Sequence, residues 1–558
     1  MELLTGAAVE PIFRGMPVMA TLADALSSAA QGGRTITLLG SDLQPRTLPC
    51  AELLSRAQEA ANALLDRGIA PGDRVLLVLP TGEEFLAAFF GSILAGIHPI
   101  PLSPPQGAQP PALFRERLEQ LTRALDVRAV IAQRDLELDA IPPDALRGND
   151  RFTAPVAVTP QSVAFLQLTS GSTGMPKGVV ITHGAAMANV RQIASGSGVV
   201  RDDVMVSWLP LFHDMGLVGG VLLPLAAGMS LVLSTPFAFL RRPAHWLQAI
   251  SRHRGTHSLA PTFAYRQVAD RASEREMEGV DLSSWRVAYV GAEPVHTAVL
   301  ETFEQRFTRY GLQPTTLFPC YGMAEATLAV SMKPFRERYR TLRVSRAALA
   351  RDERAVAPRG QDDALELVAC GIPAEGMSVT IRDSHGHVLP DRRLGEITID
   401  GPSVFSGYFE RGVAPARIRF FGTGDLGFID GNQLFITGRR KELIILAGEN
   451  HHPAEIEWAA AKVDGIRSGR VAAFGVEDPE AGTQRLCLMA EVDRHGDRTR
   501  EEALMIAVRK KVREETGLVV GGVEIVAAGT IPVTTSGKIQ RGAVREMFLN
   551  GSRSPVSA

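Results

Sequence analysis

The chain has 558 residues, of which 45% are hydrophobic, so it can form a large domain and a smaller one, each with its own core. Its formal net charge of −2 argues against a nucleic-acid partner or an anionic lipid surface. Four scattered cysteines without a CxxC pair argue against a zinc site or a disulfide framework, and the N-terminus lacks a signal-peptide pattern. We therefore expect a cytoplasmic protein without integral membrane contact.

The first part of the chain alternates between helical and strand patterns. Apolar residues fall on one helical face between 51 and 65, a buried strand follows at 74–79, and a second helix is predicted over 83–95. This rhythm is typical of a mainly parallel sheet covered by helices. The proline-rich stretch 103–111 is predicted to be a surface connection.

A stretch rich in glycine and hydroxyl residues, 168–178, lies between two strand-like runs, 163–168 and 179–182. Glycine lets the backbone approach a ligand closely, and hydroxyl groups and a lysine suit phosphate oxygens. The stretch is not a Walker A loop, because Met175 and Pro176 stand where that motif needs Gly-Lys. A plain hairpin turn is the alternative, but it needs fewer such residues. The predicted phosphate-binding residues are Thr169, Ser170, Gly171, Ser172, Thr173, Gly174 and Lys177.

The middle of the chain continues this pattern. The uncharged stretch 216–240 is long enough to span a bilayer, but its prolines and polar residues favour a buried helix followed by a strand. Strands predicted at 287–290 and 315–318 each lead into a loop. Ligands gather beyond the carboxyl ends of strands in open α/β sheets. Three loops are therefore predicted to meet at one site: 169–178, 291–294 and 319–327.

The composition changes in the second part. Residues 332–365 are charged and polar, which indicates an insertion or an ordered flap, and 366–435 alternate as in an antiparallel sheet. After Lys441 the pattern is that of a small α+β unit. The sequence therefore predicts an α/β fold. Its large N-terminal domain, residues 1–440, would combine βα-layered sheets with a β-rich subdomain, and residues 441–558 would form a small α+β C-terminal domain.

Five motifs stand in order along the chain: Thr169–Gly178, Tyr321–Glu325, Gly422–Asp425, Gly438–Arg439 and Pro532–Lys538. Through them the chain resembles, over essentially its whole length, the adenylate-forming superfamily of acyl-CoA synthetases, luciferases and peptide-synthetase adenylation domains. Within this superfamily it is most similar to the fatty acyl-AMP ligases. That narrower resemblance rests on Ser207–Leu217, His257–Tyr265, Gly291–Pro294, Pro319–Thr327 and the 332–365 insertion.

The resemblance implies two catalytic residues and the cofactors ATP and Mg²⁺. Lys538 would reach from the small domain to the carboxylate and the phosphates, and Glu325 would hold Mg²⁺ beside the leaving pyrophosphate. Superfamily members often have a threonine just before this glutamate. Here the residue is Ala324, as is usual in fatty acyl-AMP ligases, which leaves Thr169 or Tyr321 to complete the contacts of the α-phosphate.

The resemblance also implies the nucleoside contacts. Asp425 would accept hydrogen bonds from the ribose hydroxyls, and Arg439 would bind the same sugar. The adenine would contact the following residues: Gly291, Ala292, Glu293, Tyr321, Gly322 and Met323. For Gly291–Glu293, a structural turn is the alternative.

His213 and Asp214 could suggest a metal or a general base, but an ionised acid needs no base, and we expect them to line the acyl or nucleotide site. The pair His451–His452 looks like a metal site, yet a structural role is the simpler interpretation. By resemblance, Lys441 is the hinge of a mobile C-terminal domain, and Gly448 would meet a pantetheine arm. Residues 216–240 and 257–265 fit an acyl tunnel or a plain core equally well.

The resemblance implies ATP-dependent activation of a medium- or long-chain fatty acid as acyl-AMP. The acyl group would then pass to the phosphopantetheine thiol of a separate acyl carrier protein, because no carrier domain is visible in the chain. The family's insertion is thought to hinder the rearrangement used for CoA. Two alternatives remain: a fatty acyl-CoA synthetase that uses CoA, and a non-catalytic protein that binds acyl-AMP or a nucleotide.

Overall fold

The computed structural model describes residues 4–5, 19–40, 42–105, 111–136, 138–148, 156–169, 176–446, 449–478, 483–534 and 538–551. Some predicted features therefore lie wholly or partly outside the described residues: the phosphate-binding positions Ser170–Gly174, Gly448, and residues 535–537 of the Pro532–Lys538 motif. The proline-rich connection at 103–111 is described only in part.

The helices have amphipathic or buried sequences, and those predicted over 51–65 and 83–95 are confirmed. They are α1 Leu22–Gln31, α2 Cys50–Asp66, α3 Glu83–Leu94, α4 Pro111–Ala124, α5 His183–Gly196, α6 Leu223–Ala227, α7 Pro236–Arg241, α8 Ala244–Arg252, α9 Thr262–Arg271, α10 Thr297–Phe307, α11 Arg346–Asp352, α12 Pro453–Ala460, α13 Arg498–Thr516 and α14 Arg541–Leu549.

Most strands are short and rich in β-branched residues. They are β1 Leu4–Thr5, β2 Thr35–Leu39, β3 Pro45–Pro49, β4 Arg74–Val78, β5 His98–Pro101, β6 Val127–Ala132, β7 Val163–Thr169, β8 Lys177–Thr182, β9 Val204–Ser207, β10 Ser230–Leu233, β11 His257–Pro261, β12 Val287–Gly291, β13 Leu317–Gly322, β14 Ala329–Met332, β15 Thr341–Ser345, β16 Ala364–Val368, β17 Ile372–Pro373, β18 Ser378–Arg382, β19 Gly395–Asp400, β20 Phe421–Asp430, β21 Gln433–Arg439, β22 Ile444–Leu446, β23 Glu449–His451, β24 Ile466–Asp478, β25 Thr483–Val492 and β26 Gly522–Ala527.

The chain forms two compact units, and the first comprises Met1–Tyr339, Cys370–Val379 and Ile399–Phe421. In its described part the largest sheet has the strand order β17-β14-β13-β12-β11-β9-β10-β2-β3. The central neighbours from β13 to β2 pair in parallel, and the pairs at both edges are antiparallel. The mainly parallel sheet expected from the sequence is confirmed, with antiparallel edges that the local pattern did not reveal.

A smaller parallel sheet in the same unit has the order β5-β4-β6, and β7 pairs with β8 as an antiparallel hairpin. Their buried side chains share one core, which includes Leu76, Ile100, Leu121, Leu166 and Val180. This core fixes the strands that lead into and out of the predicted phosphate loop.

The uncharged stretch 216–240 is a buried helix followed by a strand, as predicted. A π-helical segment, Met215–Leu222, continues into α6 and is followed by β10. A wider π-helical turn accommodates the crowded backbone here, because a Cβ on Gly216 would lie 2.1 Å from the Pro210 carbonyl oxygen. Within the described residues, none of the helices combines the length and the apolar character needed to cross a bilayer.

The second unit comprises Arg340–Ala369, Thr380–Thr398 and Gly422–Ala558. The strands β18-β19-β20-β21 run side by side in one sheet, and β24-β25-β26 form another. The polar stretch predicted at 332–365 contains the hairpin β15–β16 and helix α11, so an ordered flap is the better description. Val344 and Leu349 from this flap pack in one core with Phe428 and Phe435. The predicted α/β class is confirmed, and the boundary at Lys441 stays a prediction.

Candidate active site

The predicted phosphate loop joins the two strands of a hairpin. Thr169 at the end of β7 pairs in register with Lys177 at the start of β8. A Cβ on Gly178 would lie 3.0 Å from Leu125 and 3.1 Å from Leu166, so the backbone packs tightly where the loop rejoins the core. The hairpin thus holds the two ends of the loop in a fixed register, with Lys177 exposed.

Tyr408 connects this hairpin to the predicted metal ligand. Its hydroxyl group donates a hydrogen bond to Glu325 Oε1 at 2.8 Å. The ammonium nitrogen of Lys177 lies 4.6 Å from the centroid of the Tyr408 ring, which is a cation–π distance. One tyrosine therefore contacts a predicted phosphate ligand and the predicted magnesium ligand.

Glu325 lies in a 3-10 turn, Ala324–Ala326, directly after β13. The turn is fixed by a hydrogen bond from the Phe405 N–H to the Glu325 carbonyl oxygen at 2.8 Å. Gly322 is required just before it, because a Cβ there would lie 1.8 Å from the Leu328 carbonyl oxygen. The strand predicted at 315–318 is Leu317–Gly322, so Tyr321 and Gly322 belong to a strand end and the loop begins later than expected.

The predicted adenine residues follow neighbouring parallel strands. Gly291 ends β12, and a Cβ there would lie 3.0 Å from both the carbonyl oxygen and the Sγ of Cys320 on β13. Ala292 has a left-handed backbone with φ of 63°, which turns the chain sharply. The Glu293 carboxylate accepts a hydrogen bond from the Phe263 N–H at 3.1 Å and so ties this turn to α9. Strands β11, β12 and β13 pair in parallel, so their carboxyl ends lie at one edge of the sheet. Met323, which comes just after β13, is buried.

The His213–Asp214 pair lies at the start of the π-helical segment, and its predicted role in lining the acyl or nucleotide site stays a prediction. Asp214 Oδ1 accepts a hydrogen bond from the Met215 N–H at 2.7 Å, and His213 Nδ1 lies 2.7 Å from the same oxygen. The Gln167 side chain, two residues before the end of β7, donates to the Phe212 carbonyl oxygen at 2.8 Å. This bond links the strand that enters the phosphate loop to the segment that carries His213.

The stretches considered for an acyl tunnel contribute to an aromatic core. The rings of Trp208 and Phe239 stack with centroids 3.8 Å apart, and Trp246 packs edge-on against both. Tyr265 continues the cluster and donates its hydroxyl hydrogen to the Tyr289 carbonyl oxygen. These contacts fit a plain core, and the tunnel assignment stays a prediction.

The second unit carries the predicted ribose pair. Asp425 on β20 and Arg439 on β21 are cross-strand partners, and Arg439 Nε donates to Asp425 Oδ1 at 2.7 Å. The Asp425 side chain is 7% exposed and that of Arg439 is 53% exposed. The Thr423 hydroxyl group accepts a hydrogen bond from the Asp425 N–H at 3.1 Å, which fixes the backbone at the carboxylate.

Lys538 lies in a loop that is anchored from both ends. Its N–H donates to the Thr534 hydroxyl oxygen at 3.1 Å, and its carbonyl oxygen accepts from the Thr534 N–H at 2.7 Å. Three residues later, Arg541 donates two hydrogen bonds of 2.7 Å to Glu457 and one of 2.5 Å to Glu442. Glu442 follows the predicted hinge residue Lys441, which is exposed in a 3-10 turn.

The histidine pair at 451–452 adjoins helix α12, and its structural interpretation stays a prediction. Burial lowers the pKa of His452 to about 4, so the ring is neutral at physiological pH. A Cβ on Gly438 would lie 2.6 Å from His452 Nδ1, which shows how closely the ring packs against β21. In the part of the chain that the structure describes, no group of three potential metal-binding side chains occurs.

Sequence reasoning missed Tyr408, Gln167 and Arg541. Tyr408 lies 83 residues from Glu325, and nothing in its local pattern indicates which carboxylate it contacts. The glycine before it is a weak signal of a special backbone. Arg541 was within reach, because it lies only three residues after Lys538.

Comparison with known proteins identifies the family. A family model described as AMP-binding enzyme matches residues 27–409, and the chain belongs to that family. The medium-chain-fatty-acid–[acyl-carrier-protein] ligase JamA of Moorena producens is 36% identical to this chain, with 92% of each chain covered. A Caulobacter vibrioides protein with the provisional name acyl-CoA synthetase is also 36% identical, over 95% of this chain and 96% of its own.

A solved structure supports the same assignment. It comes from a study of fatty acyl-adenylate ligases from E. coli and L. pneumophila, and it is 33% identical to this chain with a TM-score of 0.90. The match covers 96% of this chain and 99% of the other. The adenylate-forming family and the likeness to fatty acyl-AMP ligases, both predicted from the motifs, are confirmed.

Proposed function

We propose that this protein is a fatty acyl-AMP ligase that uses ATP and Mg²⁺. A carboxylate oxygen of a medium- or long-chain fatty acid bonds to the α-phosphorus of ATP. The bond between that phosphorus and the bridging oxygen of the leaving pyrophosphate breaks, which gives acyl-AMP. The thiol of a phosphopantetheine group on a separate acyl carrier protein then takes the acyl group and releases AMP. The names of JamA and of the solved ligases support this proposal.

The observation that carries the proposal is the contact of Tyr408 with both Lys177 and Glu325. The reaction joins two anionic partners, so it needs positive charge at the phosphates and a carboxylate for a cation. Lys177 and Glu325 provide these two groups on either side of one ring. A turn with a purely structural role would not need both.

Glu325 fits a magnesium ligand in its chemistry. It is half-buried, its hydrogen-bond donor is a neutral hydroxyl group, and it forms no ion pair with the described residues. Magnesium is commonly held by one or two carboxylates together with phosphate oxygens and water. A bound Mg²⁺ would offset the charge of the phosphate oxygens as pyrophosphate leaves.

Lys538 is the residue whose removal tests the proposal first. Lys538→Ala should reduce fatty-acid-dependent pyrophosphate release at least about 100-fold, the range seen when a charge-stabilising group is removed. Lys510→Ala is the matched control, because Lys510 lies exposed on α13 beside Glu514. Full activity of the Lys538 variant would contradict its assigned role.

An acyl-CoA synthetase is the second candidate, and the name of the Caulobacter relative favours it. The ordered flap supports the carrier protein instead. Arg346 at the start of α11 pairs with Glu455 on α12, and burial raises the pKa of Glu455 despite that arginine. Such a half-buried pair would resist a rearrangement of the C-terminal segment. Consumption of CoA as fast as of a holo carrier protein would overturn the choice of thiol.

A non-catalytic nucleotide-binding protein is the third candidate. Against this candidate, the chain has side chains of all the types needed for turnover: Glu325, Asp425, Arg439 and Lys538. Absence of turnover with every acid in a panel of fatty acids would favour this candidate.

We also expect a cytoplasmic location, because all four cysteines are free.

A further inference from the structure

We propose that Tyr408 is a positioning residue that sets Glu325 and Lys177 at once. The inference rests on the proposed function and adds Tyr408 to the residues of the candidate active site. The hydroxyl group fixes one oxygen of the metal-binding carboxylate, and the ring face fixes the ammonium group on the phosphate side. A single side chain thereby sets the cation site and the phosphate site relative to each other.

The backbone around Tyr408 is held firmly enough for this role. Residues 406–409 run alongside β8, with hydrogen bonds from the Ser406 N–H to the Val180 carbonyl oxygen and from the Val180 N–H to the Gly407 carbonyl oxygen, both 3.0 Å. The Phe409 N–H donates to the Gly178 carbonyl oxygen at 2.7 Å. The strand that begins with Lys177 therefore carries Tyr408 as a fixed neighbour.

The segment is also tied to the turn that bears Glu325. The Phe405 N–H donates to the Glu325 carbonyl oxygen, and the Thr327 hydroxyl group donates to the Ser403 carbonyl oxygen, both at 2.8 Å. Phe405 packs edge-on against the Tyr408 ring, with centroids 5.1 Å apart. Both the main chain and the ring of Tyr408 are thus restrained before any ligand binds.

A tyrosine suits this position because it orients charged groups without neutralising them. Its hydroxyl group donates to a carboxylate and leaves the negative charge available to a cation. Its ring attracts an ammonium group through its quadrupole and leaves the positive charge available to a phosphate. Among the described residues, neither Glu325 nor Lys177 forms an ion pair that would compete with a ligand.

Tyr408→Phe removes the hydroxyl group and keeps the ring. Loss of a hydrogen bond to a charged group weakens an interaction by at least about tenfold. We therefore expect the Mg²⁺ concentration at half-maximal pyrophosphate release to rise roughly tenfold, with the KM for fatty acid unchanged. Tyr408→Leu removes the ring as well and should also raise the KM for ATP several-fold, because Lys177 loses its support. A wild-type KM for ATP in the Phe variant, together with a raised KM in the Leu variant, would separate the role of the ring from that of the hydroxyl group.

Tyr310→Phe is the matched control. The Tyr310 hydroxyl group also donates to a glutamate, Glu274, at 3.1 Å, but on an exposed surface. This variant should keep the magnesium dependence of the wild type. In a Glu325→Gln background, Tyr408→Phe should have no further effect on magnesium dependence, because the two residues act as one unit.

A Tyr408→Phe enzyme with wild-type magnesium dependence would overturn the proposal, and so would an equal shift in the Tyr310 variant. Calorimetric titration of ATP into each variant at several Mg²⁺ concentrations provides a readout that needs no turnover. Absence of acyl-AMP from the wild type would contradict the proposed function. The titration would still show whether Tyr408 controls magnesium-dependent ATP binding.

Discussion

Two carboxylates in this protein are held by opposite kinds of partner. Glu325 accepts a hydrogen bond from the neutral hydroxyl group of Tyr408, whereas Asp425 accepts one from the guanidinium group of Arg439. Glu325 is half-buried and Asp425 is almost fully buried. The same functional group therefore lies in two different electrostatic environments, one in each compact unit.

The difference matches what each carboxylate is proposed to bind. A carboxylate that keeps its charge attracts a divalent cation, and a neighbouring guanidinium group would weaken that attraction. A carboxylate already paired with a cation can still accept hydrogen bonds from neutral sugar hydroxyl groups. The nature of the partner thus indicates the ligand better than the carboxylate itself does.

The largest expected effect is at Glu325. Glu325→Gln keeps the shape and can still accept from Tyr408, but it removes the charge that would hold Mg²⁺. We expect the rate of acyl-AMP formation at saturating substrates to fall roughly 100- to 1000-fold, as when one charge-stabilising group is lost from an active site. Single-turnover kinetics with mass spectrometric detection of acyl-AMP measures this loss. Retention of the wild-type rate would show that Glu325 does not hold the metal.

A smaller effect is expected at Asp425. Asp425→Asn keeps an oxygen acceptor but breaks the ion pair with Arg439 and leaves a charged group without its partner. We predict a rise of about tenfold in the KM for ATP, with a much smaller change in kcat, because ribose contacts form in the ground state as well as in the transition state.

Steady-state kinetics over a range of ATP concentrations checks the Asp425 variant. Arg417→Gln, which removes an exposed partner of Asp400, is a control for the loss of an ion pair elsewhere. A fall in kcat at unchanged KM would mean that Asp425 acts in the chemical step, and the contrast with Glu325 would then fail.

Local sequence patterns predict most of the fold, and the motifs predict one of the two carboxylate contacts compared here, that of Asp425 with Arg439. The strands on either side of the phosphate loop follow from an apolar run and a β-branched run with a glycine-rich stretch between them. The family resemblance predicts the pair Asp425–Arg439, and the structure places both residues in one β-hairpin. The contact between Tyr408 and Glu325 joins residues 83 positions apart, and a pattern over a few residues cannot reveal it.

In the second unit, too, segments that are distant in sequence pack together in a way that local patterns do not reveal. Residues 340–369 and 380–398 join the C-terminal segment in one compact unit, although they are separated from it in sequence. For residues 332–365, the charged and polar composition indicates an insertion or an ordered flap. A small set of apolar side chains, among them Val344 and Leu349, packs them into a core with Phe428 and Phe435. Local composition underestimates such a core because its members come from distant strands.

A further prediction concerns stability, and it sets the pH range in which the Glu325 and Asp425 variants should be compared. Burial, followed by the charge of His98, lowers the pKa of His183 to about 4. His183 Nδ1 accepts a hydrogen bond from the Leu22 N–H at 3.2 Å, so the fold needs the neutral ring. An unfolded histidine has a pKa of about 6.5, so the unfolded state binds more protons between these values. Stability is therefore complete above about pH 6.5 and is lost as the pH falls toward 4, by up to about 3 kcal/mol.

Urea unfolding at several pH values between 4 and 8 checks this prediction. His183→Asn places an oxygen acceptor near the position of Nδ1 and should reduce the loss of stability on the acid side, whereas replacement of the exposed His385 by asparagine should not. An unchanged acid profile in the His183 variant would mean that other groups control acid unfolding. Kinetic comparison of Glu325 and Asp425 variants belongs at pH 7–8, where His183 is neutral.

The most direct test of the account is the product formed by the wild-type protein. Purified protein with ATP, Mg²⁺ and a panel of fatty acids is analysed by mass spectrometry for acyl-AMP, acyl-CoA and acyl carrier protein, with CoA and a holo carrier protein offered together. We predict acyl-AMP with medium- or long-chain acids and acyl transfer to the carrier protein in preference to CoA. Acyl-CoA as the main product, or no acyl-AMP with any acid in the panel, would contradict the account.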